Sequence, residues 1–572
     1  MSWSLAVLVG LSLAVTRPAP LVIQPGQPYL DISPADWVDD VQYFIAELER
    51  IHPDPYWRTQ REDYLHALAS VQDGARLQPG SYRALLAFLT ANTLLGDGHI
   101  SVRGDSVRGD AASSRYPVLW YEFLDGLFIV AADREYQNLV GGRVIRLGEY
   151  PTEQGLARLY RATRGDNSYS RKSIGAFSMR KPYILMGLGL ARDDGTLPLT
   201  VRLRNGQSRS ASLAPVATDR TVDWVFARAA AGPKGPFAHR DRVEELDPNI
   251  STLSFPLFPR NYWFELLPRL DAIYVKINRM NDDPVEPFKQ FVERLLDTID
   301  REKVERLIID ISHNGGGDGT IVLPLVHGII QRPQLNRRGH LFTIIGRNTF
   351  SASMILAGFL ERHTETLFVG EPSGGSTIHF GDPETVTLPN TGLQFQVSKY
   401  RYQNSWPWDH RSWLSPDLSA EVTSDDFFNS RDVAMAAIEE FIRHPWRPIA
   451  DWLRELIDKG TLPGALGPVY REHKRAHPDL YGKTSEEEIN GLAYELGGQG
   501  LIEHAISILR LNVESYPHSA NAWGSLAEGV WTNGDLPEAA RLYLKALEID
   551  PSNQNARLML AELEGELSAL SP

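Results

Sequence analysis

Between residues 250 and 445 the sequence switches repeatedly between two periods, and no other feature restricts the fold so strongly. Ala272–Ile277, Leu307–Ile311 and Leu341–Ile345 are short apolar runs of buried-strand type, with a further run at 367–369. Phe288–Ile299 carries its apolar residues at helical spacing, and Met354–Leu360 continues the pattern as a helix. Alternation of this kind predicts an α/β layer core. One junction is chemically distinctive. Asn348-Thr349-Phe350-Ser351-Ala352-Ser353 separates the 341–345 run from the 354–360 segment, so Ser351 is expected at a helix entrance on a sheet edge. The N–H groups of a first helical turn lack intrahelical acceptors and stabilise negative charge. A serine nucleophile beside such donors points to a hydrolase.

Composition narrows the alternatives. At 572 residues the chain exceeds one core, so roughly three or four domains are expected. With 42% apolar and 23% charged residues it reads as folded, soluble protein. A formal net charge of −14 argues against nucleic acid or an anionic membrane as the main partner. The sequence has no cysteine, which removes disulfides, thiolate catalysis and cysteine zinc sites. It also has no His-Glu-x-x-His and no metal-ligand cluster, so neither a metal nor a cofactor is expected. Leu5–Val15 is an eleven-residue apolar run, too short to span a bilayer but suited to a signal-peptide core, although a basic segment before it is missing. Export to a periplasmic or extracellular space is the expectation, and a buried apolar tail on a cytoplasmic protein the alternative. No later segment reads as a transmembrane anchor.

The remaining regions differ in pattern. Trp37, Val38, Val41, Phe44, Ile45 and Leu48 form one helical face, and Tyr82–Leu95 forms a second helix, with the Pro-punctuated loop His52–Trp57 between them. Residues 115–235 read as β-rich. A hairpin is expected with a type I′ turn at Asp125-Gly126, and another around Asn205-Gly206. At the C-terminus Gly500, Ala505 and Pro517 recur 34 residues later as Gly534, Ala539 and Pro551, and Leu492 and Ile489 recur as Leu526 and Trp523. That period is the tetratricopeptide pattern. Two repeats are few for a free array, so helices at about 446–485 are expected to cap or dock them.

Three glycine-rich motifs carry candidate chemistry. Asn314-Gly315-Gly316-Gly317-Asp318-Gly319 follows the 307–311 run and permits close backbone approach, either to a ligand or to Ser351, or it is simply a tight turn. Gly96-Asp97-Gly98-His99 ends the helical segment; its histidine is a general-base candidate or a structural turn histidine. Gly370-Glu371-Pro372-Ser373-Gly374-Gly375-Ser376 reads as a ligand-facing loop, with His379 just beyond it as a second base candidate. The Gly-x-Ser-x-Gly elbow of standard α/β-hydrolases is absent.

Taken in order, these motifs resemble the tail-specific (C-terminal-processing) serine peptidase family, in its tricorn-core and interphotoreceptor retinoid-binding protein-like branch. The pieces are Asp97-Gly98-His99, a Gly141-Gly142-Arg143-Val144-Ile145 segment like a reduced PDZ strand, Asp310 with Asn314–Gly317, Thr349–Ser353, Gly370-Glu371-Pro372 and Ser415-Pro416-Asp417-Leu418. The resemblance implies a ClpP/crotonase-like α/β core. Its implied site has Ser351 as nucleophile, His99 as base, and Ala352 with Gly316 or Gly317 as oxyanion donors. Asp409 is the implied third member, with an Asp–Arg surface pair as its plainer reading. The family's loop lysine is replaced by Ser376, so Ser376 and His379 are left as substrate-loop candidates. With the resemblance confined to roughly residues 35–440, the expected organisation of the chain is a signal peptide at 1–20, a helical domain at 30–110 carrying the histidine motif, and a β-rich PDZ-like region at 111–235. A serine peptidase core at 236–445, a helical linker at 446–485 and tetratricopeptide repeats at 486–572 complete it.

Three functions fit. The leading one is a serine peptidase acting on a peptide or protein through an acyl-enzyme. The second is an inactive ligand- or peptide-binding protein on the same fold, and the distance between Ser351 and His99 discriminates the two. The third is a scaffold whose C-terminal repeats bind a protein partner.

Overall fold

The computed structural model describes residues 28–217, 260–407, 409–443, 449–476 and 484–570. The expected signal segment, the end of the β-rich region and part of the expected linker lie outside these residues. No described helix is long and apolar enough to cross a membrane.

The α/β core is a six-stranded sheet in the order Tyr262–Leu267, Ala272–Ile277, Arg306–Asp310, Leu341–Ile345, Leu367–Gly370, Leu418–Ser419. The first pair is antiparallel and the other four pairings are parallel. Successive side chains point to opposite faces, so each apolar run fills two layers. Ile273, Val275, Leu307, Ile309 and Leu341 pack against Phe291, Leu295, Leu325, Ile329 and Leu356 of the crossing helices. Tyr274, Ile308, Phe342 and Val369 pack on the other side against Ala434, Met435, Ile438 and Phe441. The crossing helices are Phe288–Glu302, Leu323–Ile330 and Ala352–His363. The expected α/β layering is therefore present.

Helix Pro34–Ile51 begins at a capping box, in which Asp36 N–H donates to Ser33 Oγ (3.2 Å) and Ser33 N–H donates to Asp36 Oδ2 (2.8 Å). Its expected apolar face is buried at Trp37, Val41, Phe44 and Leu48. A separate helix, Arg61–Leu77, follows. The expected 82–95 helix ends at Asn92 and continues as a 3-10 turn, Thr93–Leu95, closed by Gly96 at φ 63°. This cluster is not self-contained. Val386, Leu388, Leu393, Phe395 and Val397, from far along the chain, complete its core. Ser101–Val102, just after His99, pairs with Phe395–Gln396 in an antiparallel ladder.

The β-rich region forms an antiparallel sheet ordered Val118–Phe123, Gly126–Ala132, Arg143–Leu147, Leu197–Arg202, Ser208–Leu213. Helices Thr152–Arg161, Ser168–Ser178 and Pro182–Gly187 lie within the same stretch of chain. The first hairpin differs from expectation by one residue. Phe123 pairs with Gly126, so Leu124-Asp125 form the turn and Gly126 opens the next strand at φ 131°. Tertiary contacts hold this turn: Leu124 N–H donates to Val422 O (3.2 Å), and Ser424 N–H and Oγ donate to Asp125 (2.8 and 2.6 Å).

The C-terminal part is helical. Helices Thr484–Gly498, Ile502–Ser515, Ala520–Thr532, Leu536–Ile549 and Gln554–Leu570 pack in sequence around Leu492, Leu509, Leu526, Leu542 and Leu563. Gly500 and Gly534, one period apart, both take positive φ at the helix turns (81° and 88°).

Candidate active site

Three loops leave the carboxyl ends of neighbouring parallel strands and meet, which is where open α/β sheets place their ligands. They are the glycine loop after Arg306–Asp310, the Ser351 turn after Leu341–Ile345, and the 371–376 loop after Leu367–Gly370. The Ser351 turn is pinned to the glycine loop. Thr349 Oγ1 donates to Ile311 O (3.0 Å), Phe350 N–H to Asn314 O (3.1 Å) and Ser353 Oγ to Asn314 O (2.7 Å). Ser353 is thereby a buried structural hydroxyl, while Ser351 is half-buried and faces the site. Its backbone sits at φ 56°, ψ −125°, a conformation rare for a residue with a side chain. Gly316 permits the close approach. A Cβ there would lie 2.6 Å from Ser351 Cβ, and Gly316 itself stands at φ 112°.

His99 arrives from the opposite side, and its Nε2 lies 3.1 Å from Ser351 Oγ. Phe350 stacks on the imidazole at 4.6 Å. Gly98 leaves room for that ring, since a Cβ would come within 2.7 Å of Phe350 Cζ. Asp97 holds the histidine from behind. Its Oδ1 accepts the His99 backbone N–H (2.7 Å) and lies 3.7 Å from His99 Nδ1. Its Oδ2 accepts from Ser398 Oγ (2.6 Å) and faces His52 Nε2 at 3.2 Å. Asp54 N–H donates to His52 Nδ1 (3.1 Å), so the His52 proton sits on Nε2, toward the carboxylate. Burial alone would raise the Asp97 pKa. Hydrogen bonds from His52, His99 and Ser398, with the charge of His99, outweigh burial and hold the carboxyl far below its ordinary range.

Asp166 braces the same structure. Its oxygens accept Gly98 N–H (2.7 Å) and Ser376 N–H (3.1 Å), and burial, with the charge of Asp97, pushes its pKa up to about 6. Neighbouring Asn167 donates to the carbonyls of Ser373 (3.1 Å), Gly374 (3.2 Å) and Ser412 (2.7 Å).

The other expected residues fall as follows. The Asp409 carboxylate is engaged by Arg411, at 2.7 Å, and by Ser405, in place of the imidazole. Arg411 also pairs with Glu361 (2.9 Å), so Asp409 belongs to a buried ion network, and the acid beside His99 is Asp97, 3.7 Å from an Nδ1 that has no hydrogen-bond partner among the described residues. Gly316 N–H donates to Asn314 Oδ1 (2.8 Å), and Ala352 takes the first helical position. Ser376 is turned away, its hydroxyl donating to Ser412 O (2.9 Å). His379 lies parallel to His99 at 6.1 Å, with its Nδ1 3.1 Å from Asn404 Nδ2. Burial, and then the charge of His99, push the His379 pKa down to about 3, so it stays neutral behind the site. Lys276 is buried and paired with Asp310 at 2.8 Å. No metal-binding group of His, Asp or Glu occurs among the described residues.

The arrangement is that of a serine hydroxyl which an imidazole can deprotonate, beside helix-terminal N–H donors. Residues 271–419, which include Ser351 but not His99, match the model of Peptidase family S41. No curated protein matches the chain. Similar solved structures include mature CPAF complexed with lactacystin (14% identity, 72% of this chain and 99% of that one, TM-score 0.49). The photosystem II D1 C-terminal processing protease is also similar (15%, 67% and 92%, TM-score 0.30), as is the tricorn protease (12%, 66% and 37%, TM-score 0.24).

Proposed function

We propose that the protein is a serine peptidase in which His99 takes the proton of Ser351. The observation that carries this reading is the 3.1 Å contact between His99 Nε2 and Ser351 Oγ, made by a serine held at φ 56° at a helix N-terminus. Ser351 Oγ attacks the peptide carbonyl, and the N–H groups of Ala352 and Gly317 receive the developing oxyanion. His99 returns the proton to the leaving amine, and water then resolves the acyl-enzyme with His99 as base. Asp97 stabilises the imidazolium by its charge and holds the His99 backbone N–H, and His52 and Ser398 fix Asp97. The same contact counts against the inactive binding-protein reading, which needs the pair apart. In this reading the β-rich sheet is a reduced PDZ module bordering the substrate cleft, the C-terminal helices are tetratricopeptide repeats that bind a partner or the core, and the protein is exported. The test is cleavage of a random peptide library, followed by mass spectrometry of the new termini. Wild-type protein cleaves and Ser351→Ala does not. Equal cleavage by both, or none by folded wild-type protein, sinks the proposal.

A further inference from the structure

A cavity of about 980 Å³ opens between the C-terminal helices and the first half of the chain, and Gly96 and Asp166 of the His99 scaffold help to line it. Its chemistry is two-sided. One wall carries Arg58, Arg161 and Arg171. None of the three has a carboxylate within ion-pair distance among the described residues. Among the described residues Arg58 reaches only Ser412 Oγ (3.3 Å) and the face of Trp57 (4.3 Å), and Arg171 only Thr93 O (3.4 Å). The Nε of Arg58 and that of Arg171 are buried without an acceptor among the described residues. Asp166 is the carboxylate whose field reaches both, yet its oxygens are committed to Gly98 and Ser376. Desolvation accordingly lowers the pKa of both guanidinium groups. Guanidinium groups buried without a counter-ion are costly, and a carboxylate is the anion their planar fork fits.

The facing wall is built by repetition. Glu487, Asn521 and Asn555 stand 34 residues apart and present one polar side chain per helical layer to the same cavity. Side-chain amides both donate and accept, as a peptide backbone does, and Glu487 accepts from N–H groups while disfavouring a compact free anion such as phosphate. A ligand that satisfies both walls has a carboxylate on one side and a run of amides on the other.

We propose that this cavity binds an extended peptide, with a carboxylate held by Arg58, Arg161 and Arg171 and its backbone facing Glu487, Asn521 and Asn555. The site is distinct from Ser351, and its test does not depend on hydrolysis. Full-length chain carrying Ser351→Ala is immobilised and exposed to random dodecapeptides in two forms, one with a free C-terminus and one amidated. Retained peptides are sequenced. Enrichment confined to the free form assigns the α-carboxylate, and Asp or Glu enrichment in both forms assigns a side chain. Arg58→Gln with Arg171→Gln should cut retention about tenfold or more. Arg161→Gln, at an exposed position, gives the same direction with little risk to folding. Retention of no peptide, or of the same peptides by the arginine variants, overturns the proposal.

Discussion

At the scale of single residues the site depends on two conformations that the surrounding loops enforce. Ser351 occupies a strained backbone region, and Gly316 makes it possible by lying where a side chain would strike Ser351 Cβ at 2.6 Å. Gly316→Ala should destabilise the fold by about 1–3 kcal/mol and suppress reaction of Ser351. Urea melts and serine labelling on one preparation measure both, and a fully reactive variant would contradict the packing argument. Asp97 is the second case. Asp97→Asn keeps an acceptor for the His99 backbone N–H but removes the charge, and should slow catalysis on the order of 10²-fold with little change in KM. Asp409→Asn, which disturbs only the Arg411 network, should leave kcat closer to wild type. If the two variants changed places, Asp409 would be the functional carboxylate.

At the scale of elements, a buried ion pair fastens the β-rich sheet to the core. Arg347 Nε and a terminal nitrogen bind Glu371 in bidentate fashion (2.8 and 2.7 Å), and the other terminal nitrogen donates to Glu122 O (2.7 Å) across to the sheet. Removing one partner leaves a buried charge, so Arg347→Ala or Glu371→Ala should cost about 3–5 kcal/mol in chemical denaturation, and the double variant should cost less than the two combined. Additive losses would mean that the pair is not coupled. This pair also marks the limit of what the sequence displays. Strands and crossing helices of the core are local patterns, readable from the alternation of Ile273, Val275, Leu307 and Ile309 with helical segments. The Ser351 turn was equally legible, because a serine between an apolar run and a helix is a local signal. The network behind His99 was not. His52 and Asp97 are 45 residues apart and Ser398 is 301 residues from Asp97, so no spacing rule joins them. Asp97 could have been found as the acid two residues before His99 in its own glycine-flanked motif. Asp409 was misleading because its neighbour Arg411, two residues on, claims it. The turn at Leu124-Asp125 escaped for a similar reason, since contacts with residues 422–424 outweigh local Asp-Gly preference.

At the scale of the whole molecule, the C-terminal helices meet the core through a carboxylate-rich junction. Arg338 pairs with Asp451 and lies 3.8 Å from Asp417, and nearby Glu488 accepts Ile449 N–H at 3.0 Å. Burial first, then the charge of Asp417, push the Glu488 pKa from its ordinary 4.5 up to about 8. The folded chain therefore keeps a proton that the unfolded chain releases. This stabilisation is complete below about 4.5 and is lost as pH rises to about 8. Glu488→Gln should flatten that fall and raise the melting temperature at pH 8, as read by thermal unfolding across the range. An unchanged pH profile would place the titration elsewhere.

The central claim is that Ser351 is activated by His99, and the most direct measurement is labelling with a fluorophosphonate, with the modified residue mapped by mass spectrometry. The account predicts a single adduct on Ser351, absent in Ser351→Ala and reduced at least about 10²-fold in His99→Ala. An adduct that forms as fast without His99, or a folded protein that forms none, would contradict it.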